Sequence, residues 1–243
     1  NVAWNRIFPK ADIEQVSRWK VFLLGGGSGL CSKIRRRYLP FTTRVVYMPT
    51  AFTASLPDKN GKDAYLIGVF QNAQMVDAIK DEVLQAFSFS PFTDERNRNL
   101  MEEMQNSESV AIHVRKGMDY QSRIWYQNTC PVAYYKKAIG RIKKEIDHPK
   151  FYVFADNHEW VKEHFRDFDY TLIEGNPTSG CGAHFDMQLM SCCKHAIVSN
   201  STWGAYLNDS RDRMVILPEI WFNPQSCEDY TSAKLLCKGW ISL

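Results

Sequence analysis

Apolar positions in the second half of the chain follow two rhythms that take turns. In "PVAYYKKAIGRIKKEI", Val132, Tyr135, Ile139, Ile142 and Ile146 recur at helical spacing with lysines on the intervening positions, an amphipathic helix. Just before it, residues 109–116 alternate: Val110, Ile112 and Val114 point one way while Ala111, His113 and Arg115 point the other, a strand with one apolar face. The alternation then repeats. Strand-like runs "KFYVFAD" (150–156), "YTLIEGN" (170–176), "AIVSNST" (196–202) and "MVILPEIWF" (214–222) are separated by the helical stretches "EWVKEHF" (159–165) and "FDMQLMSCCKH" (185–195). Strands alternating with helices over this length predict an α/β fold with a parallel, doubly wound sheet.

Before residue 107 the pattern is sparser. "RVVYMPT" (44–50) and "DAYLIGVFQN" (63–72) read as strands, "AQMVDAIKDEVLQAF" (73–87) as one helix carrying Val76, Ile79, Val83 and Phe87, and "DERNRNLMEEMQNS" (94–107) as a second, charged helix. Prolines 40, 49 and 57 and "DKNGKD" (58–63) mark loops. The change of pattern divides the chain into lobes 1–106 and 107–243. The run "LGGGSGL" (24–30) lacks the lysine and hydroxyl residue of a phosphate loop, and Leu30 stands where a dinucleotide fingerprint needs glycine. It reads as a flexible loop or linker. The basic run "KIRRRY" (33–38) reads as a solvated helix face.

Composition narrows the class. Of 243 residues 44% are hydrophobic and 23% charged, and no apolar run approaches the roughly 20 residues of a membrane helix. A net charge of +3 is too small to imply a nucleic-acid partner, and none is expected; the first residues show no secretory signal. Seven cysteines include no C-x-x-C pair and none lies at zinc-finger spacing from a histidine, so a structural metal is not expected and reduced thiols in a cytoplasm are the simpler reading.

The chemistry gathers at the carboxyl ends of the predicted strands, where such sheets bind ligands. His113 and Arg115 share a face about 7 Å apart just before Gly117. The next strand ends in Asp156, and a later one in Ser199, Asn200, Ser201 and Thr202. Arg115 offers a planar fork of donors for phosphate, and Ser201 and Thr202 offer hydroxyl and N–H groups, so together these ends describe a diphosphate site. Asp186, early in a helix, is either an ordinary N-terminal carboxylate or the acceptor for a base such as guanine, which presents adjacent N–H donors.

Three segments resemble the α-1,2-fucosyltransferases of glycosyltransferase family 11, of the bacterial type: "HVRKGMDY" is similar to the H-x-R-x-G-D-Y motif, "PKFYVFADNHEWVKEHF" to the FYxFSDD…WV segment, and "HFDMQLMSCCKHAIVSNST…WGAYL" to the D-x-x-L-M-S-x-C-K-H…S-N-S-T region. The match covers about residues 107–222. It implies a GT-B-like fold of two Rossmann-type lobes, with the acceptor side in 1–106 and the nucleotide sugar in 107–243. It implies transfer of L-fucose from GDP-β-L-fucose to the 2-hydroxyl of a galactoside, with inversion and with neither metal nor other cofactor. By position Arg115 would hold the β-phosphate, His113 and Asp186 the guanine or ribose, and Ser201 and Thr202 further phosphate oxygens. Asp156 and Asn200 join them as donor contacts. The partners implied are GDP-fucose and a galactoside-containing oligosaccharide, for a cytoplasmic protein that could also associate peripherally with a membrane.

The departures matter as well. The chain lacks the glycine-rich G-G-L-G-N-Q-M-F segment with which the family opens, so its sequence is expected to start inside the protein. The family has about three more residues between Thr202 and Trp203, and "KGMDY" is one residue longer than the family's version. No residue identifies itself as the base that takes the acceptor's proton. Asp119 is the candidate, and it could equally orient Arg115 as a salt-bridge partner. A non-catalytic nucleotide-sugar or carbohydrate-binding protein on the same fold is the competing expectation.

Overall fold

The computed structural model describes residues 4–47, 62–68, 72–201, 207, 213–226, 228, 230–232 and 236–243, the side chains of Asp119, Tyr120 and Cys181 excepted. Contacts divide the chain into a smaller unit, Asp12–Ile79, and a larger one, Asn1–Ala11 with Lys80–Leu243. Residues 80–106 therefore pack with the second half of the chain, where the sequence pattern grouped them with the first.

A short helix α1 (Trp4–Ile7) precedes the smaller unit, which holds α2 (Arg18–Leu23), α3 (Leu30–Tyr38), the parallel pair β1 (Val45–Tyr47) and β2 (Tyr65–Ile67), and α4 (Ala73–Asp77). The glycine run is neither flexible linker nor phosphate loop. It closes α2 by a Schellman motif: Gly26 N donates to Val21 O and Gly25 N to Phe22 O, with Gly25 at φ +84°. A Cβ on Gly25 would stand 2.5 Å from Thr43, and one on Gly26 2.5 Å from the Tyr65 ring, so the glycines are needed for close packing. Nor is the basic run merely solvated. Arg35 Nη1 donates to Phe22 O (2.8 Å), and Arg36 Nη1 to Gly25 O (2.7 Å) and Gly27 O (2.9 Å), so these arginines tie α3 to the carbonyls of the turn before it.

The helix expected over 73–87 is two helices, α4 and α5 (Lys80–Ala86), broken by a turn at Ala78–Ile79 where the units meet in sequence. Then come α6 (Glu95–Gln105), β3 (Ser109–Val114), α7 (Met118–Gln121), α8 (Val132–Glu145), β4 (Lys150–Ala155), α9 (His158–His164), β5 (Thr171–Ile173), α10 (Phe185–Cys192), β6 (His195–Ile197), β7 (Val215–Leu217) and β8 (Ile241–Ser242). β8 was not foreseen; two residues are too few to show a period. The sheet order is β5-β4-β3-β6-β7-β8 with every neighbouring pair parallel. Counted from β3, this is the order 3-2-1-4-5-6 of doubly wound nucleotide-binding sheets.

The predicted faces of β3 hold. Val110, Ile112 and Val114 join Phe151 and Val153 of β4 in one core with Tyr135, Ile139 and Ile142 of α8 and Val161 of α9. On the other face α6 lies against the sheet, where Tyr152 Oη donates to Glu103 Oε1 (2.8 Å) and Ser109 Oγ to Met104 O (2.6 Å), and α10 packs beside it. His113 belongs to this second face. No helix among the described residues is long and apolar enough to cross a membrane.

Candidate active site

Leaving β3, the chain winds outward through β4 and β5; it then returns past β3 to β6 and winds the other way. The crevice at such a reversal, outside the carboxyl ends of the two strands, is where open α/β sheets take ligands. Here it lies between the ends of β3 and β6, the strands followed by Arg115 and by Ser199–Ser201. His113 Nδ1 and Ser199 Oγ are 3.1 Å apart and bridge the two strands below that opening. His113 is buried (4% exposed), and burial together with the nearby Arg115 charge drops its pKa to about 4, so it is a neutral imidazole at pH 7. It sits one step deeper on the strand than the half-buried Arg115 and makes a floor contact that joins β3 to β6.

Asp156, at the end of β4, organises Arg115. Its Oδ1 accepts the N–H of Lys116 (2.6 Å) and of Gly117 (2.9 Å), and its Oδ2 lies 3.2 Å from Arg115 Nε. One carboxylate thus fixes both the turn and the guanidinium that leaves it. Sequence reasoning offered Asp119 as a partner for Arg115 and Asp156 as a donor contact; in the structure Asp156 pairs with Arg115 and is engaged by three protein donors, while the Asp119 side chain lies outside the described residues. Asn157 donates to Lys116 O (3.4 Å) and caps α9 by accepting from Trp160 N (3.0 Å). Lys116 Nζ donates to Thr129 O (3.0 Å) and stands 5.4 Å from the Trp160 ring centre.

Asn200 follows β6 and is buried. Its amide donates to Thr129 Oγ1 (3.1 Å) and Trp221 O (3.0 Å), and its backbone N donates to Cys130 Sγ (3.2 Å). Both amide hydrogens are held within the fold, and Asn200 ties the strand end to Thr129 and Trp221. The corner it grips is strained, with Asn128 at φ 61° and Cys130 at φ 50°. Thr129 and Cys130 were missed in the sequence, where only Asn128 before a Cys-Pro pair hinted at an unusual turn. Burial pushes the Cys130 thiol up to about 12, which leaves it inert. Ser201 is half-buried just past this corner. Thr202 and the Asp119 side chain lie outside the described residues; the backbone of Asp119 is in α7, directly after the Arg115 turn.

Asp186 lies in the first turn of α10, beyond the end of β5. Its Oδ1 accepts from Asn176 Nδ2 (2.8 Å). Burial raises its pKa, against the Asn176 hydrogen bond and the charges of His158 and Arg96, which pull it down.

A sheet of this order with an arginine braced at its reversal is suited to a nucleotide diphosphate, and the comparisons with known proteins bear on which reaction uses it. The family model described as glycosyl transferase family 11 matches residues 48–243. This chain belongs to glycosyltransferase family 11. The match reaches well before residue 107, where the motifs begin. Among proteins similar to this chain, the O-antigen biosynthesis glycosyltransferase WbnK of Escherichia coli is 28% identical over 245 residues, covering 95% of this chain and 76% of that protein. An α-1,2-colitosyltransferase of Escherichia coli is 29% identical over 176 residues, 68% of this chain and 58% of that one. Among solved structures, the NodZ α-1,6-fucosyltransferase soaked with GDP-fucose aligns at a TM-score of 0.46 and 12% identity, and an Escherichia coli ADP-heptose heptosyltransferase at 0.33 and 15%. They cover 74% and 65% of the family 11 chain, which spans 59% and 46% of theirs, under two thirds of either.

Proposed function

We propose that this glycosyltransferase moves L-fucose from GDP-β-L-fucose to the 2-hydroxyl of a galactoside, with inversion, in glycan or polysaccharide synthesis, and that its chain is the two-lobed GT-B kind with this sheet as the donor lobe. The observation that carries the reading is Arg115, braced by Asp156 at the reversal of the sheet. Breaking the sugar–phosphate bond leaves an oxocarbenium-like sugar and adds negative charge to the departing GDP. A guanidinium fixed beside the β-phosphate stabilises that charge more in the transition state than in the ground state, and Asp156 means little reorganisation is needed when the bond breaks. Ser201 and Thr202 supply further phosphate donors, and Asp186 accepts the N–H edge of guanine. In the same reading Asp119 takes the proton of the attacking hydroxyl. The α-1,2 linkage follows the resemblance and the colitosyl relative, whose different sugar makes other GDP-linked deoxysugars necessary arms of the test.

The test has two parts. Incubation with GDP-fucose and a panel of galactosides, with linkage analysis, should give an α-1,2 product that persists in EDTA, since arginine takes the place of a metal at the leaving group. Activity lost on chelation and restored by Mg²⁺ would overturn that part. Separately, GDP at about a hundredfold over its Kd should add roughly 2.7 kcal/mol of stability, on the order of 5–10 °C in Tm for a chain of this size, and more than GMP, ADP or UDP at equal concentration. A GDP shift without turnover on any acceptor would favour the binding-protein alternative. Equal shifts with ADP and UDP would remove the guanine assignment.

A further inference from the structure

The Asp186 carboxylate is the end of a chain of side-chain hydrogen bonds that begins on another helix. Asp94 caps α6, its Oδ1 accepting from Asn97 N (2.8 Å) and its Oδ2 from Asn97 Nδ2 (3.1 Å). The same Asn97 Nδ2 donates to Asn176 Oδ1 (2.9 Å), and Asn176 Nδ2 donates to Asp186 Oδ1 (2.8 Å). The loop carrying Asn176 is tied to α6 a second time, because Arg96 donates to the Glu174 carbonyl.

The direction of the chain is fixed at its origin. A carboxylate at Asp94 only accepts, so the Asn97 amide must turn its NH₂ toward it, and that group then meets Asn176 through oxygen. Asn176 is left with its own NH₂ facing Asp186. The arrangement has a cost: Asn97 is 2% exposed, and its Oδ1 is buried with no hydrogen-bond partner. The opposite amide orientation would leave an N–H there and set oxygen against the Asp94 carboxylate. A buried orphan carbonyl is costly, so its presence marks an orientation imposed by the neighbours. At the far end Asp186 receives a donor on one oxygen, which favours its ionised, accepting form.

We propose that Asn97 and Asn176 are positioning residues that hold Asp186 as an oriented, ionised acceptor for the N–H edge of the donor's nucleobase, and so set base preference without touching the base. The inference rests on the reading of Asp186 as that acceptor. The groups around Asp186 are Arg96 on α6, with Asp94 behind Asn97; His158 on α9; Glu174 in the loop, 3.3 Å from His158 Nδ1; and His184, stacked on Phe89, two residues before it. Burial works against the charged form while Asn176, His158 and Arg96 support it.

Asn176 lies in a half-buried loop position, so Asn176→Ala should fold, which melting checks. Calorimetric titration with GDP and with ADP is the measurement, on the parent, Asn176→Ala and Asp186→Ala. Asn176→Ala should weaken GDP about tenfold and leave ADP nearly unchanged, since only the base contact is disturbed. The acid limb of GDP binding should move to higher pH, because the hydrogen bond that favours the carboxylate is gone. A parent that prefers GDP, lost in Asp186→Ala but kept in Asn176→Ala, overturns the positioning role while sparing the reading of Asp186. A parent that binds GDP and ADP alike overturns both. Equal losses for the two nucleotides in Asn176→Ala, with an unmoved acid limb, would mean that Asn176 only shapes the loop.

Discussion

Arg115→Ala should reduce transfer several hundredfold and leave the chain folded. The rate effect follows from the proposed place of Arg115 at the leaving-group phosphate, where losing one preorganised donor costs about 3–4 kcal/mol in the transition state. The fold should survive because the ion pair with Asp156 is part-exposed, 33% and 23% for the two side chains, and such pairs contribute at most about 1 kcal/mol. Asp156 also keeps its two backbone donors, Lys116 N and Gly117 N, when the guanidinium is gone, so no buried charge is stranded. Lysine should recover little activity, since it supplies the charge without the planar fork that both Asp156 and a phosphate engage. The comparison to make is kcat/KM for parent, Ala and Lys variants beside their melting curves. A folded Ala variant within about tenfold of the parent would remove Arg115 from the mechanism.

The same turn shows what the sequence could and could not reveal. Strand alternation put Val110, Ile112 and Val114 on one face, and the structure agrees, because period-two burial is a local property. It also put His113 and Arg115 on one face; in the structure His113 is buried within the strand and Arg115 is half-buried just past its end at Val114. Partners distant in sequence were illegible. That Asp156 braces Arg115 depends on β4 lying beside β3 in register, His113 opposite Phe154 and Val114 opposite Ala155, which no pattern within either strand encodes. The partners of the Asn200 amide were illegible for the same reason, since Thr129 and Trp221 stand 71 and 21 positions away in sequence. The α6 residues behind Asp186 were hidden for another reason. A charged helix assigned to the earlier lobe gave no sign that its first turn connects through Asn176 to Asp186. The glycine run was misread because its composition fits a linker, whereas the positive φ at Gly25 and the close approach of Thr43 and Tyr65 are tertiary facts.

His113 yields the second large expectation, a stability that falls as the solution becomes mildly acidic. In the unfolded chain its imidazole titrates at the ordinary value of 6.5; in the folded chain burial and the Arg115 charge lower this to about 4. Above pH 6.5 both states hold it neutral, and it adds no pH dependence. As pH falls from 6.5 toward 4 the unfolded state takes up a proton that the folded state refuses, so stability declines across that window and levels off below it. The gap corresponds to about 3 kcal/mol, a large part of a typical domain's stability. His195 adds to the trend in the same direction, its pKa also lowered by burial, while the depressed carboxylates Glu108 and Asp94 act mainly at lower pH. His113→Asn separates these contributions, for it keeps a polar partner for Ser199 but does not titrate. Urea unfolding of parent and variant at pH 7.5, 6, 5 and 4 gives the double difference. The variant is expected to be less stable at pH 7.5, where a packed ring has been lost, and to lose about 3 kcal/mol less than the parent between pH 7.5 and 4. Parallel declines in the two proteins would show that His113 accepts its proton as readily folded as unfolded, and that the bridge to Ser199 does not depend on a neutral imidazole.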